Sequence, residues 1–172
     1  NSTTVIKNGG TIEKTTTNTF GYDGVLTTPY IVDRLNNKVS TSTLATGDIH
    51  SSEEQYGYDI NLLKQIKKRS TNSGLTSDFI TENNEYDAYG NVIQKKYSAP
   101  GMADRVVNYE YDAATHRFLV KKIDPELQET VYTYNQSTGL LLTETLPSNA
   151  GFPLITTYTY DSWGKVILVK DY

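Results

Sequence analysis

The chain has no cysteine, which excludes both a disulfide framework and a thiolate metal site. It holds one Met, one Trp and two His among 172 residues, and apolar residues make up only 37%. That fraction is low for a compact globule with a large interior. No window approaches the roughly 18 consecutive apolar residues of a membrane-spanning helix. Alanine is scarce, and no long stretch keeps a helical period. The net charge of −4 lacks the basic excess of a general nucleic-acid binder. No serine sits in a nucleophile elbow, no glycine-rich phosphate loop follows a strand, and no metal-ligand spacing is present. Nothing implies a cofactor. The chain begins Asn1-Ser2-Thr3, without an initiating Met or signal peptide, and stops abruptly at Tyr172, which predicts a piece of something longer.

What fills the deficit is 24 Thr and 14 Tyr, against only 4 Phe. Branched and ringed side chains pack well on a half-buried pleated surface and lose rotamers in a helix. The composition therefore predicts an all-β fold. Basic residues cluster at Lys64, Lys67, Lys68 and Arg69, at Lys95–Lys96 and at Lys121–Lys122, and read as solvated strand faces and ends.

One pattern recurs six times. Aromatic-x-Tyr-Asp stands at Phe20-Gly21-Tyr22-Asp23, Tyr56-Gly57-Tyr58-Asp59, Tyr109-Glu110-Tyr111-Asp112 and Tyr158-Thr159-Tyr160-Asp161. Asn84-Glu85-Tyr86-Asp87 lacks the first aromatic, and Tyr132-Thr133-Tyr134-Asn135 has Asn for Asp. Successive second tyrosines are 36, 28, 25, 23 and 26 residues apart, a spacing typical of repeat architectures. Gly24, Gly90, Gly139 and Gly164 follow the acid at short range, then an apolar run such as Val92-Ile93 or Val166-Ile167-Leu168-Val169. A second turn signal closes the unit: Ala99-Pro100-Gly101, Asp124-Pro125, or Pro147-Ser148-Asn149-Ala150-Gly151.

The physical translation is strand, tight turn, strand, looser turn. In Asp161-Ser162-Trp163-Gly164 and Asp87-Ala88-Tyr89-Gly90 the acid opens the turn, where its side chain accepts from backbone N–H groups ahead of it. Glycine stands fourth, where a left-handed backbone is often required. Tyrosines two residues apart project from one face of a strand, so repeat upon repeat they form aromatic columns. On this reading Tyr is a packing element and Asp or Asn a turn-former, rather than one of a row of catalytic or ligand-binding carboxylates. Asn61–Arg69 taken alone looks helical, with apolar residues at i, i+1 and i+4. Its place just after Tyr58-Asp59 makes it an outgoing strand, one whose hairpin lacks the turn glycine. His50 and His116 have no matching partners, and His116 reads as an exposed loop residue. Glu53-Glu54 reads as surface charge. The acceptor patterns Asn1-Ser2-Thr3 and Asn135-Gln136-Ser137 are too frequent by chance to inform.

The array of Tyr-x-Tyr-Asp-x-x-Gly, an apolar strand and a Pro-containing link resembles the YD (tyrosine-aspartate) repeat of bacterial Rhs proteins. It is similar too to repeats of wall-associated proteins, of the B/C components of insecticidal toxin complexes, and of teneurins. The likeness is strongest over residues 84–172, and Tyr160–Val166 is the nearest copy, with Lys165 where the family usually has Arg. It implies consecutive antiparallel β-hairpins joined edge to edge into a continuous twisted or spiralling sheet, a fragment of a larger β-shell. It also implies a non-catalytic scaffold, secreted or at the bacterial cell surface, whose shell encloses a toxin polypeptide or serves contact. Residues 1–50 would be less regular repeats containing the Phe20–Asp23 unit, and residues 51–172 the array anchored on Tyr58, Tyr86, Tyr111, Tyr134 and Tyr160. The family's autoproteolytic Asp-Pro-x-Gly has only Asp124-Pro125-Glu126-Leu127 here, without the glycine, so proteolysis is not carried over.

The partners so implied are the rest of the repeat shell and an enclosed polypeptide. The alternative is a binding module for a carbohydrate or cell-surface partner, with the aromatics outside the columns (Tyr30, Tyr89, Tyr97 and Trp163) as the contacts. Neither reading calls for nucleic acid or a membrane span. An excised sheet with open edges is expected to self-associate through its end strands.

Overall fold

The computed structural model describes residues 1–24, 26–27, 30–71, 78–148 and 151–171. The link predicted at Pro147–Gly151 therefore falls partly outside the described residues. Among them there is no helix, and fifteen strands are formed. These are β1 (Ser2–Asn8), β2 (Thr11–Tyr22), β3 (Leu26–Thr27), β4 (Tyr30–Ile31), β5 (Leu35–Leu44), β6 (Ile49–Asp59), β7 (Leu62–Thr71) and β8 (Ile80–Tyr86). There follow β9 (Val92–Ser98), β10 (Arg105–Tyr111), β11 (Leu119–Ile123), β12 (Glu129–Tyr134), β13 (Leu141–Leu146), β14 (Leu154–Tyr160) and β15 (Val166–Asp171). The all-β reading holds, and so does the strand at Leu62–Thr71.

Two compact units result: residues 1–84 with 96–104, and residues 85–95 with 105–172. In the first, β1-β2-β5-β6-β7-β8 lie side by side in chain order, with β3–β4 a separate small hairpin inside the excursion between β2 and β5. In the second, β10 to β15 likewise follow chain order. The ladders β1–β2, β2–β5, β5–β6, β6–β7, β7–β8 and those from β10 through β15 are all antiparallel. Residue 50 lies within the ladder of β5 and β6, where Ser42 faces His50.

Five of the six hairpins that carry a Tyr-Asp or Tyr-Asn turn, those of Tyr22, Tyr58, Tyr111, Tyr134 and Tyr160, have the same irregularity. The register shifts just before the second tyrosine, at Gly21/Tyr22, Gly57/Tyr58, Glu110/Tyr111, Thr133/Tyr134 and Thr159/Tyr160. Gly57 faces Gln65 whereas Tyr58 faces Leu63, so Lys64 is an extra residue on the outgoing strand. Val120, Leu142 and Ile167 are the extra residues in the later copies. The links between repeats, β5–β6, β7–β8, β11–β12 and β13–β14, run without a shift. A bulge resets the side-chain alternation. It brings Leu63 to the same face as Ile66, which stands opposite Tyr56. Apolar residues three apart on one face are also a helical spacing, which is why this segment mimics a helix in sequence.

Burial is shallow. Val107, at 9% exposure, is the one buried hydrophobic among the described residues, and no described side chain is fully enclosed. A sheet layer of this kind draws its stability from strand to strand, through cross-strand pairs and the hydroxyl contacts of Thr133 with Thr143 (2.7 Å) and Thr16 with Ser42 (2.9 Å).

The Asp124–Leu127 link is a tight turn. Asp124 Oδ1 accepts from the N–H groups of Glu126 and Gln128, both at 2.9 Å, and Leu127 takes φ 62°. Asp87-Ala88-Tyr89-Gly90 forms the same turn with Gly90 at φ 87°. A left-handed Leu costs about 1 kcal/mol that glycine does not, and Leu127 is 79% exposed, so little packing would be lost. Leu127→Gly is therefore expected to stabilise the chain by about 1 kcal/mol, read as a raised urea midpoint; a lowered midpoint contradicts this turn assignment.

Candidate functional site

The repeated acids differ in what they hold. Asp161 Oδ1 accepts from Trp163 N and Lys165 N, and Asp87 Oδ1 from Tyr89 N and Asn91 N, all at 2.9 Å. Asn135 Oδ1 accepts from Ser137 N and Thr138 N. Asp112 is the most engaged: it takes the N–H groups of Thr115, Arg117 and Phe118 and the Thr115 hydroxyl. Led by the Phe118 N–H, these bonds outweigh the effect of burial and hold its carboxyl far below the usual range. The turn glycines Gly90, Gly139 and Gly164 all take positive φ.

The two early copies depart from this. Asp23 instead meets the Arg34 guanidinium at 2.7 Å and the Asn36 amide at 3.0 Å, contacts that lower its pKa. Asp59 ends β6 before a two-residue turn in which Ile60 takes φ 51°. Its carboxylate accepts no hydrogen bond among the described residues.

Between hairpins runs a seam of tyrosine hydroxyls. Tyr58 donates to the Leu35 carbonyl at 2.9 Å, Tyr111 to Val92 at 3.3 Å and Tyr160 to Leu141 at 2.7 Å. Each acceptor is the first residue of the preceding hairpin's outgoing strand. In the copy without its first aromatic, Asn84 Nδ2 donates to the Leu63 carbonyl at 3.1 Å. Ring contacts extend the seam: Arg34 lies 4.2 Å over Tyr58, and Phe118 stacks on Tyr134 at 5.1 Å. Burial, with Asp87 nearby, raises the Tyr111 pKa, and burial with the Glu144 carboxylate raises Tyr132, Tyr134 and Tyr158. Tyr56, donating to Glu54 at 2.5 Å, is pushed up to about 12. Phe20 stacks on Tyr22 within one strand at 6.5 Å. Tyr86 ends β8 as Tyr111 ends β10, and Tyr109 lies two residues before that end.

The four aromatics outside the columns do not form one cluster. Tyr30 stands on β4 at 75% exposure, and Tyr97 is half-buried in β9. Tyr89 stacks on His116 with centroids 4.0 Å apart and rings 12° from parallel. His116, expected as a free loop residue, is therefore half-buried, and it takes φ 56° at the place where other turns use glycine. Trp163 is 92% exposed. It borders a concavity of about 630 Å³ with Asn135, Thr138, Leu140, Tyr158 and Asp161.

Glu53 also departs from the surface reading, at 7% exposure. Burial works against its charge, but bonds from Gln55 (2.7 Å), Arg69 (2.5 Å) and Asn37 (2.9 Å) outweigh it and lower its pKa. Only a ladder register puts Asn37, Glu53 and Arg69 together, so sequence spacing carried no signal of it. With both oxygens occupied, the carboxylate acts as a structural tie. No group of three metal-ligating side chains occurs among the described residues, and no helix is long and apolar enough to cross a membrane.

No protein-family model matches the chain, and no curated protein sequence does. Among solved structures, the chain is similar to TcdB2-TccC3 without its hypervariable C-terminal region, at 12% identity and a TM-score of 0.45. The similarity covers 98% of this chain, which spans 11% of the length of that one.

Removing one seam hydroxyl by Tyr160→Phe should cost about 1 kcal/mol, whereas Tyr30→Phe, away from the seam, should leave the urea midpoint unchanged. Equal effects would remove the seam's claim to stability. Asp112 gives a pH signature. A carboxyl lowered in the folded state stabilises at pH values above its unfolded pKa of about 4, and that contribution is lost as pH falls toward the folded value. Asp112→Asn should lower stability at pH 7 and flatten its decline below pH 4 in urea titrations; an unchanged slope contradicts the assignment.

Proposed function

We propose that the chain is a non-catalytic scaffold, a segment of a YD/Rhs-type repeat β-shell. The observation that carries this reading is the seam, a tyrosine hydroxyl given to the preceding hairpin's backbone at Tyr58, Tyr111 and Tyr160. In it the paired tyrosines are packing ribs and the Asp or Asn residues hold the turns, with residues 51–172 the regular array and residues 1–50 its less regular start. Carboxylates spent on backbone N–H groups are poor candidates for acid–base chemistry because their lone pairs are taken, and at Asp87 and Asp112 the lowered pKa also makes them unsuited to proton transfer near neutrality. By family likeness, the natural partners are the rest of the shell and an enclosed polypeptide, in a protein secreted or displayed at a bacterial surface.

A second reading, a carbohydrate or cell-surface contact, is favoured by the concavity beside Trp163, where an indole face lies next to hydroxyl and amide groups. Titrating neutral oligosaccharides against Trp163 fluorescence tests it, and a flat response at millimolar sugar removes it.

The scaffold reading makes stability a property of neighbours. Tyr111→Ala should cost about 2–3 kcal/mol and speed hydrogen exchange in β9 and β12 as well as in its own hairpin. Exchange confined to β10–β11 contradicts it, as would hydrolytic turnover that Asp112→Asn abolishes.

A further inference from the structure

The glycines of the Tyr-Asp and Tyr-Asn turns give their N–H groups to a carbonyl: Gly90 to Asp87 at 3.2 Å, Gly139 to Asn135 at 2.7 Å and Gly164 to Asp161 at 3.1 Å. The turn between β1 and β2 is different. Its two residues, Gly9 (φ 54°) and Gly10 (φ 87°), are both left-handed, the backbone of a tight two-residue hairpin. The Gly9 N–H donates no hydrogen bond among the described residues. A Cβ placed on either glycine would meet nothing within 4 Å, so the turn is open to solvent on all sides. Asn8, exposed at the end of β1, precedes it, and Asn8-Gly9 is the one Asn-Gly pair in the sequence.

The other asparagines of the strands and turns are held. Asn18 donates to Ser2, Asn36 to Asp23, Asn37 to Glu53 and Asn84 to the Leu63 carbonyl, while Asn91 spans Asp87 and the His116 carbonyl. Asn83 and Asn108 accept from glutamines across the ladder, and Asn135 caps its own turn. None of them is followed by glycine, and neither is Asn1 or Asn61. The Asn8 amide makes no hydrogen bond among the described residues. A free amide, an unbonded N–H next to it and no side chain in between therefore coincide at Asn8 alone among the described asparagines. Asparagine is chemically labile, and these are the conditions under which its amide meets the following backbone nitrogen.

We propose that Asn8 is a modification site, at which the turn undergoes spontaneous deamidation with water as the only co-reactant. Loss of the Gly9 amide proton leaves a nitrogen nucleophile, which attacks Asn8 Cγ. A bond from Gly9 N to Cγ forms, the Cγ–Nδ2 bond breaks, and ammonia leaves with a proton from the medium. Water then opens the five-membered succinimide at one of its two carbonyls. One opening gives aspartate; the other gives isoaspartate, in which the main chain runs through Cβ and Cγ. The net change is an amide and a water becoming a carboxylate and ammonium, with nothing oxidised or reduced. Isoaspartate lengthens the backbone on the β1 side of a turn whose paired glycines fit a two-residue loop, beside a register that already shifts between Ile6 and Lys7. The pairs Asn8–Thr11 and Lys7–Ile12 should be lost, while the ladder of β2 with β5 is kept. This site does not depend on the scaffold reading.

The test incubates the full chain at neutral to alkaline pH and maps it by trypsin and mass spectrometry. Cleavage after Lys7 and Lys14 isolates residues 8–14, in which Asn8 is the sole amide side chain. That peptide should acquire the mass of the acid, largely as isoaspartate, at a rate rising about tenfold per pH unit because the deprotonated nitrogen is the nucleophile. Conversion should run roughly tenfold faster than at Asn36, Asn37 or Asn91, whose amides are tied by hydrogen bonds. Hydrogen exchange of the aged chain should show protection lost at Lys7 and Ile12 and unchanged in β10–β14. Asn8→Gln, which would need a six-membered ring, should keep both its amide and the protection; Asn8→Asp, which adds the charge without lengthening the backbone, should keep the register. An Asn8 that stays intact in the folded chain under conditions that convert it in urea overturns the site, as does conversion no faster than at Asn36 or Asn91. Full protection of Lys7 and Ile12 in chains carrying isoaspartate overturns its effect on the hairpin.

Discussion

A hydroxyl on one hairpin bonded to a backbone carbonyl on the next is the contact on which the rest of this fold leans. The reason is shallow burial: with Val107 the one buried hydrophobic among the described residues, no deep core is available to hold the strands. Each seam bond is worth only about 1 kcal/mol net, but it recurs, and it fixes the sideways position of one hairpin on another as well as its distance. The bulge before the second tyrosine in five of the six copies serves the same end. It places an apolar residue opposite the tyrosine and turns both to one face, whatever the length of the intervening turn. The excursion of Asp23–Arg34 and the two-residue turn at Ile60–Asn61 differ greatly in length, yet both deliver the same pairing afterwards.

The polar groups follow from the same geometry. A tight turn leaves N–H groups facing inward that need an acceptor, and Asp87, Asp112, Asn135 and Asp161 supply one. Charge at these places is thus fixed by the turn, and the Glu53 tie with Arg69, Gln55 and Asn37 is fixed by cross-strand register. These are ways of holding a sheet together. They leave the exposed indole of Trp163 and the apolar edge of β15 as the features that the described residues do not satisfy.

Much of this was legible in the sequence because the repeat imposes it. Tyr-x-Tyr-Asp located six strand ends, and the register of the array overruled the helical look of Asn61–Arg69. The bulges were not legible, since an extra residue changes no composition and leaves only the i, i+3 spacing of Leu63 and Ile66, which imitates a helix. The left-handed turns at Ile60, His116 and Leu127 were hidden by their side chains, because the sequence signal for such a backbone is glycine. The His116 stack on Tyr89 and the burial of Glu53 depend on neighbours 27 and 16 residues away, taking Tyr89 to His116 and Glu53 to Arg69, distances at which one sequence carries no pairing information. Asn84 is instructive in another way: as a degraded motif it looks like a loss, yet its amide reaches the Leu63 carbonyl that a tyrosine hydroxyl reaches elsewhere.

If stability resides between neighbouring hairpins, it cannot be uniform along the chain. Native-state hydrogen exchange of the unmodified protein, followed strand by strand with increasing urea, reads this directly. The account predicts a graded profile, with β1 and β15 opening at the lowest free energy and the hairpins inside the array at successively higher values. One common opening free energy for every strand, the signature of a single cooperative core, would contradict it.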